Sequence, residues 1–301
     1  MELAVEMQRH VEVIGAAWGL GGADPGCADA PDVLAPLLVE QLQRCGVPLA
    51  AGPRLRQEAP RRRRQLAVSR LCGELAHAVS EAMRRGRLPC VLGGDHSCAG
   101  GTWTGAAREV KGPLGLIWVD AHMDAHTPGT SHTGRLHGMP LAWLLGQDDD
   151  PLYGLAAGVL APQHVALLGV RSFEPEERER LEFLGVRVMY MDEIRRRGVA
   201  AALDEALVIA TRGTAAFGIS VDLDAVSPDE APGVGTPVPE GMAGRDLVRA
   251  MQRIGGRADL AAVELAEYCP RHDPSGRSAR IAVDVLGGAL CGARYEAHVL
   301  A

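Results

Sequence analysis

Two short runs, Asp120-Ala-His122-Met-Asp124 and Asp222-Leu-Asp224, space carboxylates and an imidazole two residues apart, each directly after an apolar stretch. His96, in Gly93-Gly94-Asp95-His96-Ser97, adds a second imidazole. Side chains at i, i+2 and i+4 of an extended chain share a face, so each run is expected to aim its ligands at one spot. A lone Asp-x-His carries little information, but three such groups, each after a predicted strand, describe a metal site. The set holds two imidazoles, four carboxylates and no cysteine, which suits a harder divalent ion than structural zinc. Four negative charges exceed what one divalent ion balances, so two ions are expected. Paired ions about 3.5–4 Å apart generate hydroxide at neutral pH and stabilise charge in a hydrolytic transition state. Mixed oxygen and imidazole ligation makes manganese the first choice, with cobalt, nickel or iron as alternatives.

The elements that position these residues alternate from end to end. Strands are predicted at Val11–Ala16, Cys90–Gly93, Leu114–Asp120, His164–Val170, Val186–Tyr190, Ala216–Asp222 and Leu260–Glu264. They are short and apolar without polar alternation, as in a parallel sheet buried on both faces. Helices are predicted at Pro31–Cys45, Leu66–Arg85, Pro175–Leu184, Val199–Thr211, Arg245–Ile254 and Ser278–Leu290. Strands separated by helices imply βαβ crossovers and a three-layer α/β/α fold with a mostly parallel sheet. With no internal repeat and no composition break, residues 1–301 are expected to form a single domain. In such sheets ligands bind beyond the carboxyl ends of the strands, where His96 and both Asp runs lie.

Bulk properties exclude other classes. A formal net charge of −7 over 301 residues rises to about −3 with two divalent ions, and gives no nucleic-acid signature. The run Arg61 to Arg64 reads as a solvated loop or helix start. The first residues, MELAVEMQRH, do not form a signal peptide, and no apolar run is long enough to span a bilayer. The chain ends soon after its last predicted helix. Seven cysteines without a Cys-x-x-Cys pattern point to reduced thiols and a cytoplasmic protein. Cys98 reads as a small buried residue at a helix start. The glycines from Gly15 to Gly22 miss the G-x-G-x-x-G spacing, because position 24 is Asp24, so no dinucleotide site is expected. The turn Gly233-Val-Gly235-Thr236-Pro237 follows the second Asp run and offers close backbone approach to a substrate.

Gly-Gly-Asp-His-Ser at 93–97, Asp-Ala-His-Met-Asp at 120–124, and Ser220-Val-Asp222-Leu-Asp224 followed by Pro232-Gly-Val-Gly-Thr236-Pro occur in the order found in one family. Over nearly its whole length the chain resembles the ureohydrolases (arginase, agmatinase and relatives). The resemblance implies an α/β/α fold with two Mn²⁺ ions that hydrolyses a guanidino group to urea and an amine by attack of a metal-bridging hydroxide. It implies one ion held by His96, Asp120, Asp124 and Asp222, and the other by His122, Asp120, Asp222 and Asp224, with Asp120 and Asp222 bridging. Asp124 would also accept a hydrogen bond from the hydroxide, His137 would shuttle protons, and Glu267 would orient the guanidinium. This agrees with elementary chemistry. A resonance-stabilised cation resists water, a carboxylate matches its fork, and the leaving amine needs a proton near neutral pH.

The loop after Asp124 resembles the arginase branch rather than the agmatinase branch. There, Ser131 and Thr133 would contact a substrate α-carboxylate, and Glu174 and Glu177 would meet an α-amino group. Thr236 would line the pocket. His126 and Arg135 stand where arginases commonly carry asparagine, and Arg135 either pairs with a substrate carboxylate or projects into solvent. Ser227 replaces an Asp that is usual before Pro228, and Glu240 interrupts a usual Gly-Gly and is expected to narrow or recharge the pocket rim.

The resulting expectation is an arginase-type amidinohydrolase converting L-arginine to L-ornithine and urea. It acts on a small guanidino substrate without nucleic-acid or membrane partners, in a homo-oligomer (trimer or hexamer). A different amidinohydrolase, for guanidinobutyrate, agmatine or Nω-hydroxy-L-arginine, is the alternative kept open by His126, Arg135 and Glu240. A non-catalytic metal-binding homologue is disfavoured by the full ligand set. A deacetylase-like amide hydrolase is disfavoured by the absence of adjacent histidines.

Overall fold

The apolar runs form one eight-stranded sheet in which every pairing is parallel. The computed structural model describes residues 9–57, 64–147 and 158–295. The strands are β1 (Val11–Ala17), β2 (Leu49–Arg56), β3 (Leu88–Gly93), β4 (Leu114–Val119), β5 (Val165–Val170), β6 (Arg187–Tyr190), β7 (Ala216–Asp222) and β8 (Leu260–Ala266), in the spatial order β2-β1-β3-β8-β7-β4-β5-β6. The helices are α1 (Ala30–Arg44), α2 (Arg64–Arg84), α3 (Ala99–Glu109), α4 (Pro140–Leu144), α5 (Pro175–Leu184), α6 (Met191–Arg197), α7 (Val199–Thr211), α8 (Gly244–Met251) and α9 (Arg277–Cys291).

Strand side chains alternate between two apolar layers. On β4, Leu116 and Trp118 join Leu75 of α2, Trp103 of α3 and Leu141 of α4. Ile117 and Val119 face the opposite layer with Leu38 of α1, Leu203 of α7, Val248 of α8 and Val285 of α9. Burial of both faces explains why these strands show no polar alternation, and it produces the expected α/β/α layering.

All seven predicted strands are present, but β2 is absent from the sequence reading. Its segment, Leu-Ala-Ala-Gly-Pro-Arg-Leu-Arg, lies at the sheet edge and is largely half-buried or exposed. Its glycine, proline and arginines suit an edge strand and hide it from an apolar-run criterion. The helix α3 is hidden for a different reason. It opens Ala-Gly-Gly, yet Gly101 and Gly105 sit one turn apart where a Cβ would come within 2.7 Å of the Cys72 carbonyl and 2.5 Å of the Ala76 carbonyl on α2. These glycines allow two helices to touch rather than breaking one. Arg61–Arg63 lie outside the described residues, whereas Arg64 opens α2. Cys98 is buried and precedes α3 directly.

Candidate metal centre and substrate pocket

The four central strands β3, β8, β7 and β4 are consecutive in the sheet, and each ends at a residue of interest. His96 follows β3, Glu267 follows β8, Asp222 closes β7 and Asp120 follows β4. Residues far apart in the chain meet because a parallel sheet brings all its carboxyl ends to one edge.

Local folding departs from the expected strand-face alternation. Strand β4 stops at Val119 and β7 at Asp222, so His122, Asp124 and Asp224 all lie beyond the strand ends, Asp224 within a short 3-10 turn. The Asp120 carboxylate accepts from the His122 amide at 2.7 Å and the Asp222 carboxylate from the Asp224 amide at 2.8 Å. Each aspartate thereby turns the chain after itself, which ends the strand and redirects the next ligand. Asp124 has φ of 50° and Glu267 of 64°, left-handed values that are rare for residues with a Cβ and that cluster at functional sites.

The candidate ligands form two groups that share one carboxylate. His96, Asp120 and Asp124 converge in one, and Asp120, His122 and Asp224 in the other. His96 Nδ1 lies 3.3 Å from Asp120, 3.1 Å from Asp124 and 3.3 Å from Asp222. His122 Nδ1 lies 3.1 Å from Asp224 and 3.5 Å from Asp120. Asp222 therefore joins the His96 side, while its other contact is the Asp224 amide.

The donor set fits divalent ions. His96 Nδ1 is fully buried and makes no well-directed hydrogen bond, although three carboxylates surround it. A buried nitrogen aimed between anions is placed for a cation. Burial opposes charge on His96, but the surrounding carboxylates outweigh it and hold the imidazole well above its ordinary pKa. Burial pushes Asp222 up, and the charges of Asp224 and Asp120 push it further. Burial and Asp120 likewise raise Asp124 to about 6. Mutual repulsion of buried carboxylates is what bound cations relieve.

Supporting residues escaped the sequence reading. His96 Nε2 lies 2.9 Å from Ser220 Oγ, which donates to Glu264 at 2.7 Å. Thr102 also donates to Glu264. The strand β8 continues two residues past its predicted end, so Glu264 is a fully buried carboxylate inside a strand rather than at its tip. An acid inside the apolar run Leu-Ala-Ala-Val-Glu-Leu-Ala was the available signal. Trp118 stacks on His96 with centroids 4.3 Å apart and donates from Nε1 to Asp120 at 2.9 Å. Arg171 donates to the carbonyls of Asp224 at 2.7 Å and Val238 at 2.8 Å, tying the end of β5 to the loops beyond β7.

His137 and Glu267 stand together beside the centre. His137 Nδ1 is 2.9 Å from Glu267 Oε1, which also accepts from the His96 amide at 2.9 Å. Burial lowers the His137 pKa, but Glu267 and Asp124 outweigh it and raise the group to about 9. Glu267 is held below its ordinary value despite burial, chiefly by His137. The glycine stretch that failed the dinucleotide pattern holds this histidine, because the Gly21 carbonyl accepts from the amides of Leu136 and His137. Gly235, beside Thr236, leaves room for Glu267, since a Cβ there would come within 2.7 Å of its Oε2. Thr236 itself is half-buried in that turn.

The residues expected to meet the outer end of the substrate are wired differently. His126 Nε2 lies 3.0 Å from Glu174 and 3.4 Å from Glu177, and its Nδ1 lies 3.1 Å from Thr130 Oγ1. Glu174 and Glu177 form a capping box at the start of α5, and Glu177 also accepts from the Ala125 amide at 3.0 Å. Burial raises Glu177 to about 8. Ser131 accepts from the Gly134 amide at 3.0 Å and Thr133 from the Arg135 amide at 3.3 Å. Thr133 and Arg135 are exposed and border a cavity of about 370 Å³ with Arg64 and Gly22. Glu240 is exposed and its side chain is paired with Arg195 on α6 at 2.8 Å.

Residues 9–292 match the model of the arginase family. The chain belongs to the arginase family. An arginase of Bacillus caldovelox is 35% identical over 93% of this chain and 97% of its own length. An arginase of Agrobacterium fabrum is 34% identical over 94% of this chain and 91% of its own. The crystal structure of an arginase from Bacillus subtilis superposes with a TM-score of 0.87 at 32% identity, covering 94% of this chain and 98% of that one. The protein is thus an amidinohydrolase of the arginase branch, with the arginase α/β/α fold. Among the described residues, no helix is long and apolar enough to cross a membrane.

Proposed function

We propose that the protein hydrolyses L-arginine to L-ornithine and urea with two Mn²⁺ ions. The observation that carries this reading is the pair of His–Asp groups sharing Asp120, with the buried His96 Nδ1 aimed between carboxylates. His96, Asp120, His122, Asp124, Asp222 and Asp224 would hold the ions. When bound, such a pair lowers the pKa of water and stabilises developing negative charge.

The chain's own residues supply the remainder. Glu267 orients the guanidinium through its carboxylate, and its left-handed backbone turns that side chain toward His96 and His137. As water adds to the guanidinium carbon and the carbon–nitrogen bond to ornithine breaks, the departing amine takes a proton passed through Asp124 and His137. The Glu267 carboxylate holds the His137 pKa above its ordinary value, which favours the protonated imidazole that this step needs. Ser131 and Thr133 would meet the α-carboxylate, Glu174 and Glu177 the α-amino group, and Thr236 the pocket wall. His126 and Arg135 complete the outer pocket. We take the chain to work as one domain in the cytoplasm, where its free thiols suit a reducing compartment, and to assemble as a homo-oligomer.

A second reading has a specific observation in its favour. His126 already contacts both Glu174 and Glu177, the acids assigned to the α-amino group. A guanidino substrate without that amine, such as guanidinobutyrate, would leave these contacts intact. Urea release by the manganese-reconstituted protein on L-arginine, agmatine, guanidinobutyrate, guanidinopropionate and Nω-hydroxy-L-arginine separates the readings. Turnover of L-arginine well above the others supports the first. Preference for a substrate lacking the amine overturns it and keeps the centre.

A further inference from the structure

A second set of ligating side chains meets where the loop before α1 packs on the turn after β8. Asp24, Cys269 and His272 bring a carboxylate oxygen, a sulfur and an imidazole nitrogen within 4.8 Å of one another. The Asp24 carboxylate is already anchored, accepting from the Gly26 amide at 2.7 Å and lying 2.7 Å from His272 Nε2. Asp24 and Cys269 are buried, whereas Arg271 and His272 are exposed and leave a solvent side open.

Charge at this cluster favours a cation. The neighbouring Cys27 thiol lowers the Cys269 pKa from its ordinary value, against burial and the nearby Asp24 carboxylate, which both raise it. Burial raises the Asp24 pKa, but hydrogen bonds from Arg271, Gly26 and His272 outweigh it. Arg271 forms an ion pair with Asp24 and donates to it from Nε at 2.7 Å. The cation already present is therefore a half-exposed side chain, which can rotate away.

We propose that Asp24, Cys269 and His272 form a second metal site, selective for a soft divalent ion of the zinc type, for which Arg271 competes. One sulfur, one nitrogen and one oxygen with an open fourth position suit zinc, and differ from the oxygen-rich centre between the strands. The site touches the catalytic machinery through two links. Glu267 lies two residues before Cys269, and Cys27 Sγ is 3.8 Å from Glu267 Oε2. An ion here would clamp the turn that carries Glu267 against the loop before α1.

Cobalt titration of the manganese-loaded protein tests this site, read by thiolate-to-cobalt charge-transfer absorption. None of the six residues at the strand-end centre carries sulfur, so cobalt exchanging there cannot give that band. The expected result is a band saturating at one equivalent, lost in Cys269→Ser and retained in Cys45→Ser. Arg271→Ala is expected to tighten cobalt binding about fivefold, the scale of one half-exposed ion pair. A band that survives Cys269→Ser would overturn the proposal. So would its absence from both the wild type and Arg271→Ala when each still melts cooperatively and retains manganese.

Discussion

The inner cluster around His96 and His122 and the outer cluster of His126, Glu174 and Glu177 both combine histidine with carboxylates, and they differ in what satisfies their acids. In the inner cluster, four buried aspartates meet two imidazoles, and His96 Nδ1 has no directed partner. In the outer cluster, Glu177 accepts from two backbone amides and caps α5, while His126 spans both acids. The same residue types thus give a centre short of positive charge in one place and a self-satisfied bracket in the other. Ligand chemistry alone does not separate them. Backbone amides reach acids in both; what separates them is the crowding of four buried carboxylates around an imidazole nitrogen with no directed partner in the inner cluster.

Removing the shared inner ligand should have the largest effect. Asp120→Ala is expected to lower urea release on the order of a thousandfold, since paired ions supply several kcal/mol of transition-state stabilisation. Metal analysis should show fewer than two manganese ions per chain, and two retained ions with normal turnover would refute the sharing. His137→Asn should cost on the order of a hundredfold in turnover while sparing manganese content. Wild-type turnover should decline as pH rises through the pKa of His137, which the Glu267 carboxylate holds above its ordinary value, and the variant should lack that limb.

The raised pKa of His137 also ties stability to pH. It moves from 6.5 in the unfolded chain to about 9 in the folded one, so its contribution is full below 6.5 and lost as pH rises through about 9. Thermal melts of ion-free protein across that window should fall more steeply for the wild type than for His137→Asn. Equal slopes would show that His137 adds nothing to the pH dependence.

Smaller effects probe the supports. Ser220→Ala removes the hydrogen bond that orients His96 and should weaken manganese binding about tenfold to a hundredfold, measured by competition with a chelating dye. In the outer bracket, Glu177→Ala should lower stability by about 1 kcal/mol through loss of the capping box. It should also raise KM for arginine more than it lowers kcat. An unchanged KM would reassign Glu177 to capping alone and sharpen the contrast between the clusters.

Much of the centre was legible because its ligands are short motifs placed after apolar runs. His96, Asp120 and Asp222 stand out by residue type and by the strands before them. Ser220 and Glu264 were less legible because their significance depends on which strands are neighbours. Two residues 44 apart form a hydrogen bond only because β7 lies beside β8.

By itself the sequence determined the layered α/β class, since continuous apolar strands spaced by helices can be buried only between two helical layers. It also determined the donor types at the strand ends and, through its motifs, the family. Tertiary structure alone decided the strand order that gathers those ends, the turns that replace strand-face alternation beyond Asp120 and Asp222, and the pairing of His126 with Glu174 and Glu177. Those outcomes rest on contacts between distant segments, whose geometry local spacing does not encode.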